Sequence, residues 1–338
     1  MNQFWRERSV LVTGPTGLLG SGLVAELVQH GAQVTGLVRD LVPRSRLYTE
    51  GWHQYINLVP GQVEDLSTLE RVLSEYEIDT VFHLAAQTLV GVAQQAPLAT
   101  FEANIKGTWN LLEACRQVGR VSRIVVASSG KAYGEQEKLP YTETTPLQGT
   151  HPYEVSKSCA DLICRSYYLS YGLPVCVTRF SNVYGGGDLN SNRLVPETIR
   201  SALRGQPVVI RSNGNHTRDY LYIKDGVLAY LCLAQQMDRP EIRGETFNFS
   251  NESPITVLEM VHKIWGLMGK SHWQPQVGHD SKNEIEHQSL SAAKARKLLN
   301  WAPQYSLEAG LKETIEWYKA LVEAEENSGT GVPEVSLR

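Results

Sequence analysis

Long apolar runs are missing from this chain: nothing approaches the roughly 20 consecutive apolar residues of a membrane-spanning helix, so no membrane partner is expected. Charge of one sign is missing too. The 32 Lys and Arg face 36 Asp and Glu, a formal net charge of −4. That balance excludes a polybasic nucleic-acid binder and an acidic disordered chain. Cysteine is scarce and odd in number, and Cys115, Cys159, Cys164, Cys176 and Cys232 include no CxxC pair. Neither a disulfide framework nor a zinc site is expected, and the setting reads as reducing and cytoplasmic. The nine histidines lack ligand spacing, so no metal is expected. Met1 to Ser9 lacks the apolar core of a secretory signal. What is present is apolar sequence enough for a large core, 42% of 338 residues. That length suits two lobes.

The first half alternates β-branched runs with longer helical patterns. Strands are predicted at Ser9–Thr13, Gln33–Val38, Tyr55–Val59, Thr80–Leu84, Arg123–Ala127 and Val175–Phe180. Leu19, Leu23 and Leu27 recur every four residues, with Val24 and Val28 beside them, which marks a helix face that Gly31 ends. Further helices are predicted at Ser67–Tyr76, Pro97–Val118 and Tyr153–Tyr171. Such alternation implies an α/β fold: a parallel sheet covered on both faces, with ligands beyond the carboxyl ends of its strands. After about Gly185 loops lengthen, and short strands such as Gln206–Ile210 and Tyr220–Ile223 sit among helices. This reads as a smaller lobe, with some segments returning to the first. Residues 327–338 are polar and aperiodic and read as a disordered tail.

Gly14-Pro-Thr-Gly17-Leu-Leu-Gly20 follows the first strand and opens the first helix. Gly14 permits the tight turn, Gly17 the approach of a pyrophosphate, and Gly20 close helix–sheet packing. Free N–H groups at the helix start and the positive end of its dipole suit phosphates. At the end of the second strand, Arg39 could pair with a 2′-phosphate, whereas Asp40 could take ribose hydroxyls.

Tyr153 and Lys157 lie four apart, on one helical face. An ammonium beside a phenol favours the phenolate, so the tyrosine can act as a base towards a sugar hydroxyl. Pro152 suits a first helical turn. Ser129, just beyond the strand Arg123–Ala127, can steady the reacting oxygen.

With these pieces the chain resembles an extended short-chain dehydrogenase/reductase of the nucleotide-sugar epimerase/dehydratase group. The matching segments are Gly14–Gly20, Phe82–Gln87, Asn104–Thr108, Ser128–Gly134, Tyr153 with Lys157, Arg179–Gly185, Thr217–Tyr220 and Lys294–Pro303. The resemblance implies a Rossmann-like, doubly wound parallel sheet over residues 1–180, a smaller nucleotide-sugar-binding lobe over 181–326, and a homodimer. It implies NAD, with NADP the alternative, held by Gly14, Thr16, Gly17, Leu18 and Gly20, by Arg39 and Asp40, and by Gln62 and Val63. Leu84, Ala85, Ala86, Tyr153 and Lys157 complete that set. Gln62 stands where the family has an adenine-binding Asp. Catalysis is implied for Ser129, Tyr153 and Lys157, with Asn104 supporting the active-site helix. Substrate contacts are implied for Gln87, Ser129, Asn182, Arg193, Leu194, Arg211 and Arg218. The dimer would use the helices 97–118 and 153–171, where Leu111, Leu112, Cys115, Leu162, Ile163 and Tyr167 form apolar faces that equally suit the core.

Members of the group oxidise a sugar, usually at C4; epimerases, dehydratases and decarboxylases then diverge in the fate of the 4-keto sugar. Dehydration needs a base at C5 and an acid for the C6 hydroxyl. In the dehydratases these come directly after the triad Ser/Thr, at the positions of Gly130 and Lys131 here. The phrasing is closest to CDP-glucose 4,6-dehydratases, which carry Asp-Lys there. Lys131 therefore matches the base, while the acid is missing. GDP-mannose dehydratases, with Ser-Glu, show that one titratable group can serve. The expectation is a 4,6-dehydratase, with a C4 epimerase as the alternative. A non-catalytic NADP-binding regulator is disfavoured because the Tyr and the Lys are both present.

Overall fold

The computed structural model describes residues 2–278 and 285–327. Its first six strands are β1 (Ser9–Thr13), β2 (Gln33–Val38), β3 (Asn57–Pro60), β4 (Thr80–His83), β5 (Arg123–Ala127) and β6 (Val175–Phe180). Next come β7 (Asn182–Tyr184), β8 (Val209–Ile210), β9 (Thr217–Arg218), β10 (Tyr220–Tyr222) and β11 (Thr246–Phe249). The last are β12 (Ile255–Thr256), β13 (Gln276–Val277) and β14 (His287–Gln288). Strands β1–β6 and β11 form one parallel sheet in the order β11-β6-β5-β4-β1-β2-β3. It winds outward both ways from β1 and β4, which leaves a crevice at the carboxyl ends between them. The large sheet draws its edge strand β11 from the second half of the chain. Three small sheets, β10-β7, β12-β9-β14 and β13-β8, make up the rest.

The strand pattern explains why both faces are covered. Val10 and Val12 of β1 enter one apolar cluster and Leu11 enters the other. Alternate side chains of a strand point to opposite faces, so a run as apolar as Ser9–Thr13 needs helices on both. Leu23 and Leu27, from the helix Leu18–Gln29, pack on the first face. Leu69 and Val72 (helix Leu66–Glu75), Leu111 and Leu112 (helix Gly107–Val118) and Cys164 (helix Pro152–Tyr171) pack on the second. Leu111, Leu112 and Cys115 are therefore core and not a dimer face, whereas Leu162 is 57% exposed.

Local chemistry sets the element limits. Gly14 has φ +71°, and a Cβ there would sit 3.0 Å from the backbone of Ala85. A Cβ on Gly20 would meet the Gly14 carbonyl oxygen at 2.1 Å, so only glycine lets the helix Leu18–Gln29 start against its own loop. The third strand starts at Asn57 and not Tyr55, because Trp52–Tyr55 forms a 3-10 turn. The helix predicted over 97–118 is broken by a π turn at Glu102–Lys106, a device that re-aims side chains near functional sites. The active-site helix runs Pro152–Tyr171. It starts with proline in its first turn, the Glu154 carboxylate accepts from the Thr150 N–H (3.1 Å), and Gly172 ends it at φ +65°. The expected tail over 327–338 lies outside the described residues except Asn327, which ends the helix Leu307–Asn327. No helix among the described residues is long and apolar enough to cross a membrane.

One ion pair joins the active-site helix to the sheet. Arg179 on β6 donates twice to Asp161, at 2.7 and 2.8 Å, and both side chains are 5% exposed. Arg179 also donates to the Tyr133 hydroxyl (2.7 Å), which donates to Asn248 of β11 (2.7 Å). Breaking a buried pair from one side strands a charge. Asp161→Asn is therefore expected to destabilise the fold by about 3–5 kcal/mol. Urea unfolding would show this as a lower midpoint at unchanged slope.

Candidate active site

The crevice opens into a cavity of about 560 Å³ between the carboxyl ends of the large sheet and segments from the second half of the chain. Each strand end delivers a piece of its wall. The loop after β1 brings Gly14, Thr16, Gly17, Leu18 and Gly20, and the end of β2 brings Arg39 and Asp40. Gln62 and Val63 follow β3, and Leu84, Ala85 and Ala86 follow β4. Ser129 and Lys131 follow β5, the active-site helix adds Tyr153 and Lys157, and Asn182, Arg193 and Leu194 close the far side. A dinucleotide fits the near side. The loop's glycines keep Cβ atoms out of the turn, and the first N–H groups of the helix Leu18–Gln29 face the cavity.

The details change several expectations. Arg39 donates to Asp40 at 2.6 Å, so the two strand-end candidates hold each other in the open. Asp65, three residues after Gln62, is taken up in capping the helix Leu66–Glu75. Bonds from Thr68 and Ser67 hold its pKa down, to about 2. Gln87 and Asn104 do not line the cavity. They clamp each other behind it: the Gln87 N–H donates to Asn104 Oδ1 (2.7 Å), and Asn104 Nδ2 donates to the Gln87 carbonyl (3.0 Å). Asn104 also donates to Ser156 Oγ (2.9 Å), which donates to the Tyr153 carbonyl (2.7 Å).

Arg218 and Arg211 are corrections. β9 is paired on both sides, by β12 and β14, and Arg218 is buried there, donating to the carbonyls of Thr217 (2.9 Å) and Glu286 (3.0 Å). Arg211 is exposed just after β8. Neither lines the cavity. Residues not singled out from sequence do line it. Asp188, 5% exposed, accepts from Arg193 (3.2 Å) and from the Asn190 N–H (3.1 Å). Tyr230 lines the floor among Phe82 and Phe180. A tyrosine in mid-helix carries no sequence signal of that role.

The catalytic group is tightly packed. Burial pushes the Tyr153 phenol up, while the Ser129 hydroxyl and then the Arg193 charge pull it down. The expected lowering by Lys157 is not among the effects that act on Tyr153; the Lys157 side chain donates to the Ala127 carbonyl (2.8 Å). Gly130 is walled in. A Cβ there would lie 3.1 Å from both the Phe180 carbonyl oxygen and a Leu290 methyl, and the Gly130 carbonyl accepts from Gln288 (2.9 Å). The place of an acid is thus filled by a segment from the far end of the chain.

Burial lowers the Lys157 pKa from 10.5 to about 8, with smaller opposing effects of Cys164 and Asp161. Between those values the unfolded chain binds more protons than the folded one, so this lysine makes stability rise with pH from about 8 to 10.5. Relative to Lys157→Met, the protein should gain stability over that window. Parallel stability–pH curves in denaturant would contradict it.

The chain matches the family model for GDP-mannose 4,6-dehydratase over residues 11–314. A CDP-glucose 4,6-dehydratase of Salmonella typhimurium is 31% identical, over 96% of this chain and 94% of that protein. A dTDP-glucose 4,6-dehydratase of Xanthomonas campestris is also 31% identical, over 91% and 92%. Among solved structures, a UDP-glucose 4-epimerase of Thermotoga maritima with UDP-glucose superposes with TM-score 0.84 at 30% identity, covering 93% of this chain and 99% of that one. A dTDP-glucose 4,6-dehydratase of Bacillus anthracis in complex with NAD does so with TM-score 0.83 at 27% identity, covering 94% and 98%. With its two-way-wound parallel sheet and with the glycine loop, Ser129, Tyr153 and Lys157 lining one cleft, the chain belongs to the GDP-mannose 4,6-dehydratase family.

Proposed function

We propose that the chain is an NAD-dependent nucleotide-diphosphate-sugar 4,6-dehydratase. The observation that carries this reading is the near full-length likeness to a CDP-glucose 4,6-dehydratase, together with Lys131 lining the cleft beside Ser129 and Tyr153. Tyr153 takes the proton of the C4 hydroxyl, Ser129 holds the oxygen as it becomes a ketone, and Lys157 supports the phenolate. The chemistry a bound nicotinamide supplies is acceptance of the C4 hydride and its later return to C6. The ketone acidifies C5. Lys131 takes the C5 proton while the C5–C6 double bond forms and the C6–O bond breaks, and passes it to the departing hydroxyl, which leaves as water. One group serves both transfers because the wall at Gly130 provides no acid. As C6 receives the hydride, C5 takes up a proton that balances the one Tyr153 drew from the C4 hydroxyl, so the products are a 4-keto-6-deoxy sugar and one water. Asn182, Arg193 and Leu194 face the sugar nucleotide from the second lobe.

A C4 epimerase is the second reading, favoured by the absence of an acid at Gly130 and by the likeness to the Thermotoga enzyme. In the homodimer we infer, the outer faces of the helices 97–118 and 152–171 meet; Leu98, Trp109, Leu162, Leu169 and Tyr171 are exposed there. NAD is favoured over NADP because Asp40 neutralises Arg39.

Turnover of CDP-, UDP-, GDP- and dTDP-glucose with NAD, followed by mass, should give a product one water lighter. An unchanged mass with a new C4 stereoisomer would make it the epimerase, and full turnover by Tyr153→Phe would sink both. Lys131→Ala should abolish the loss of water yet leave NAD reduction visible by absorbance. Asp40→Asn frees Arg39 for a 2′-phosphate, so it should shift the NADH-to-NADPH affinity ratio about tenfold towards NADPH in a fluorescence titration.

A further inference from the structure

His83 ends β4, 3% exposed, between two threonine hydroxyls. Its Nδ1 lies 2.9 Å from Thr13 Oγ1 and its Nε2 lies 3.2 Å from Thr108 Oγ1. The direction of each bond is set by the other partners of the hydroxyls. Thr13 Oγ1 accepts from the N–H groups of Leu84 and Ala85, both at 3.1 Å. Its own hydrogen is therefore turned to Nδ1, which must be the bare nitrogen. Thr108 Oγ1 donates to the Asn104 carbonyl at 2.6 Å. Its hydrogen is engaged, so Nε2 must carry the proton that joins them. Both ends select one neutral tautomer. Burial, then the nearby Lys157 charge, lowers the ring's pKa to about 3, which agrees with a ring that stays neutral.

The chain of bonds connects the two halves of the site. Thr13 immediately precedes Gly14 of the cofactor loop. Thr108 fixes the carbonyl of Asn104, inside the π turn Glu102–Lys106. Asn104 reaches Ser156 and, through it, the backbone of Tyr153. Thr13, His83, Thr108 and Asn104 are all buried, so water offers no substitute partner. We propose that His83 is a positioning residue: as the Nε2–H tautomer it holds the strand end that opens the cofactor loop and the turn that carries Asn104 in one fixed relation, and so sets where Tyr153 stands.

The catalytic half of this inference rests on the dehydratase reading; the tautomer half does not. Nitrogen-15 NMR of histidine-labelled protein should show a bare Nδ1 and a protonated Nε2 for His83, unchanged between about pH 5 and pH 9. A proton on Nδ1, or titration of the ring in that range, overturns the proposal even if no sugar nucleotide is turned over. For kinetics, Gln places an amide N–H near Nε2, Asn places an acceptor near Nδ1, and Leu supplies neither. His83→Leu should lower kcat by roughly ten- to a hundredfold with KM unchanged. His83→Gln should recover most of that loss, and His83→Asn should stay with Leu. A folded His83→Leu with undiminished kcat overturns it. Should His83→Leu fail to fold, equal kcat in the Gln and Asn variants overturns it as well.

Discussion

The bidentate pair between Asp161 and Arg179 is the joint on which the site's geometry hangs. A buried ion pair tolerates little displacement, since each charge depends on the other for what water no longer gives. Asp161 lies eight residues after Tyr153, a little over two helical turns. Holding Asp161 against β6 therefore fixes the rotation of the helix that aims Tyr153 and Lys157 into the cleft. Arg179 extends the joint through Tyr133, on the turn after β5, to Asn248 on β11. The turn that presents Ser129 and Lys131 is tied by those bonds to the strand that the second half lends to the large sheet.

This use of arginine bears on how a chain with a net charge of −4 can accommodate diphosphates. Two of its most suggestive cations, Arg179 and Arg218, are buried and engaged with the protein's own oxygens. What faces the cleft is the opening turn of the helix Leu18–Gln29 and a few placed cations: Arg39 paired with Asp40, Arg193 paired with Asp188, Lys131 and Lys157. Placement replaces bulk charge: a few oriented N–H groups in a partly enclosed cavity do more than many solvated lysines.

Strand limits were legible where hydrophobic runs were sharp. The runs Ser9–Thr13, Gln33–Val38, Arg123–Ala127 and Val175–Phe180 are strands with those limits. The position of the cleft was legible for the same reason, since a parallel sheet leaves its ligand groups at strand ends. The π turn was not legible, because Pro97–Val118 has unbroken helical periodicity and the bulge depends on contacts of Asn104 with a loop seventeen residues away. Nor was the placing of Arg218. From the sequence it is an arginine in a family motif; in the fold it is buried and donates to the carbonyl of Thr217 on its own strand and to that of Glu286, just before β14. Asp188 and Tyr230 entered the cleft through tertiary packing alone.

The single gap in the motif, Gly130, gains a physical meaning from a contact across 158 residues. Along the chain, Gly130 is only a missing side chain beside Lys131. In space it is an occupied volume: Leu290 stands against the Cβ position, and Gln288 secures the carbonyl. A side chain restored there would press on the Leu290 methyls and the Phe180 carbonyl oxygen. Gly130 offers a leaving hydroxyl in the proposed dehydration no acid of its own, and Lys131, which lines the cavity beside Ser129, is the group on that turn placed to give it a proton. Abstraction and return are then confined to one edge of the sugar. The packing of a remote segment thereby bears on the order and the face of the chemistry, not only on stability.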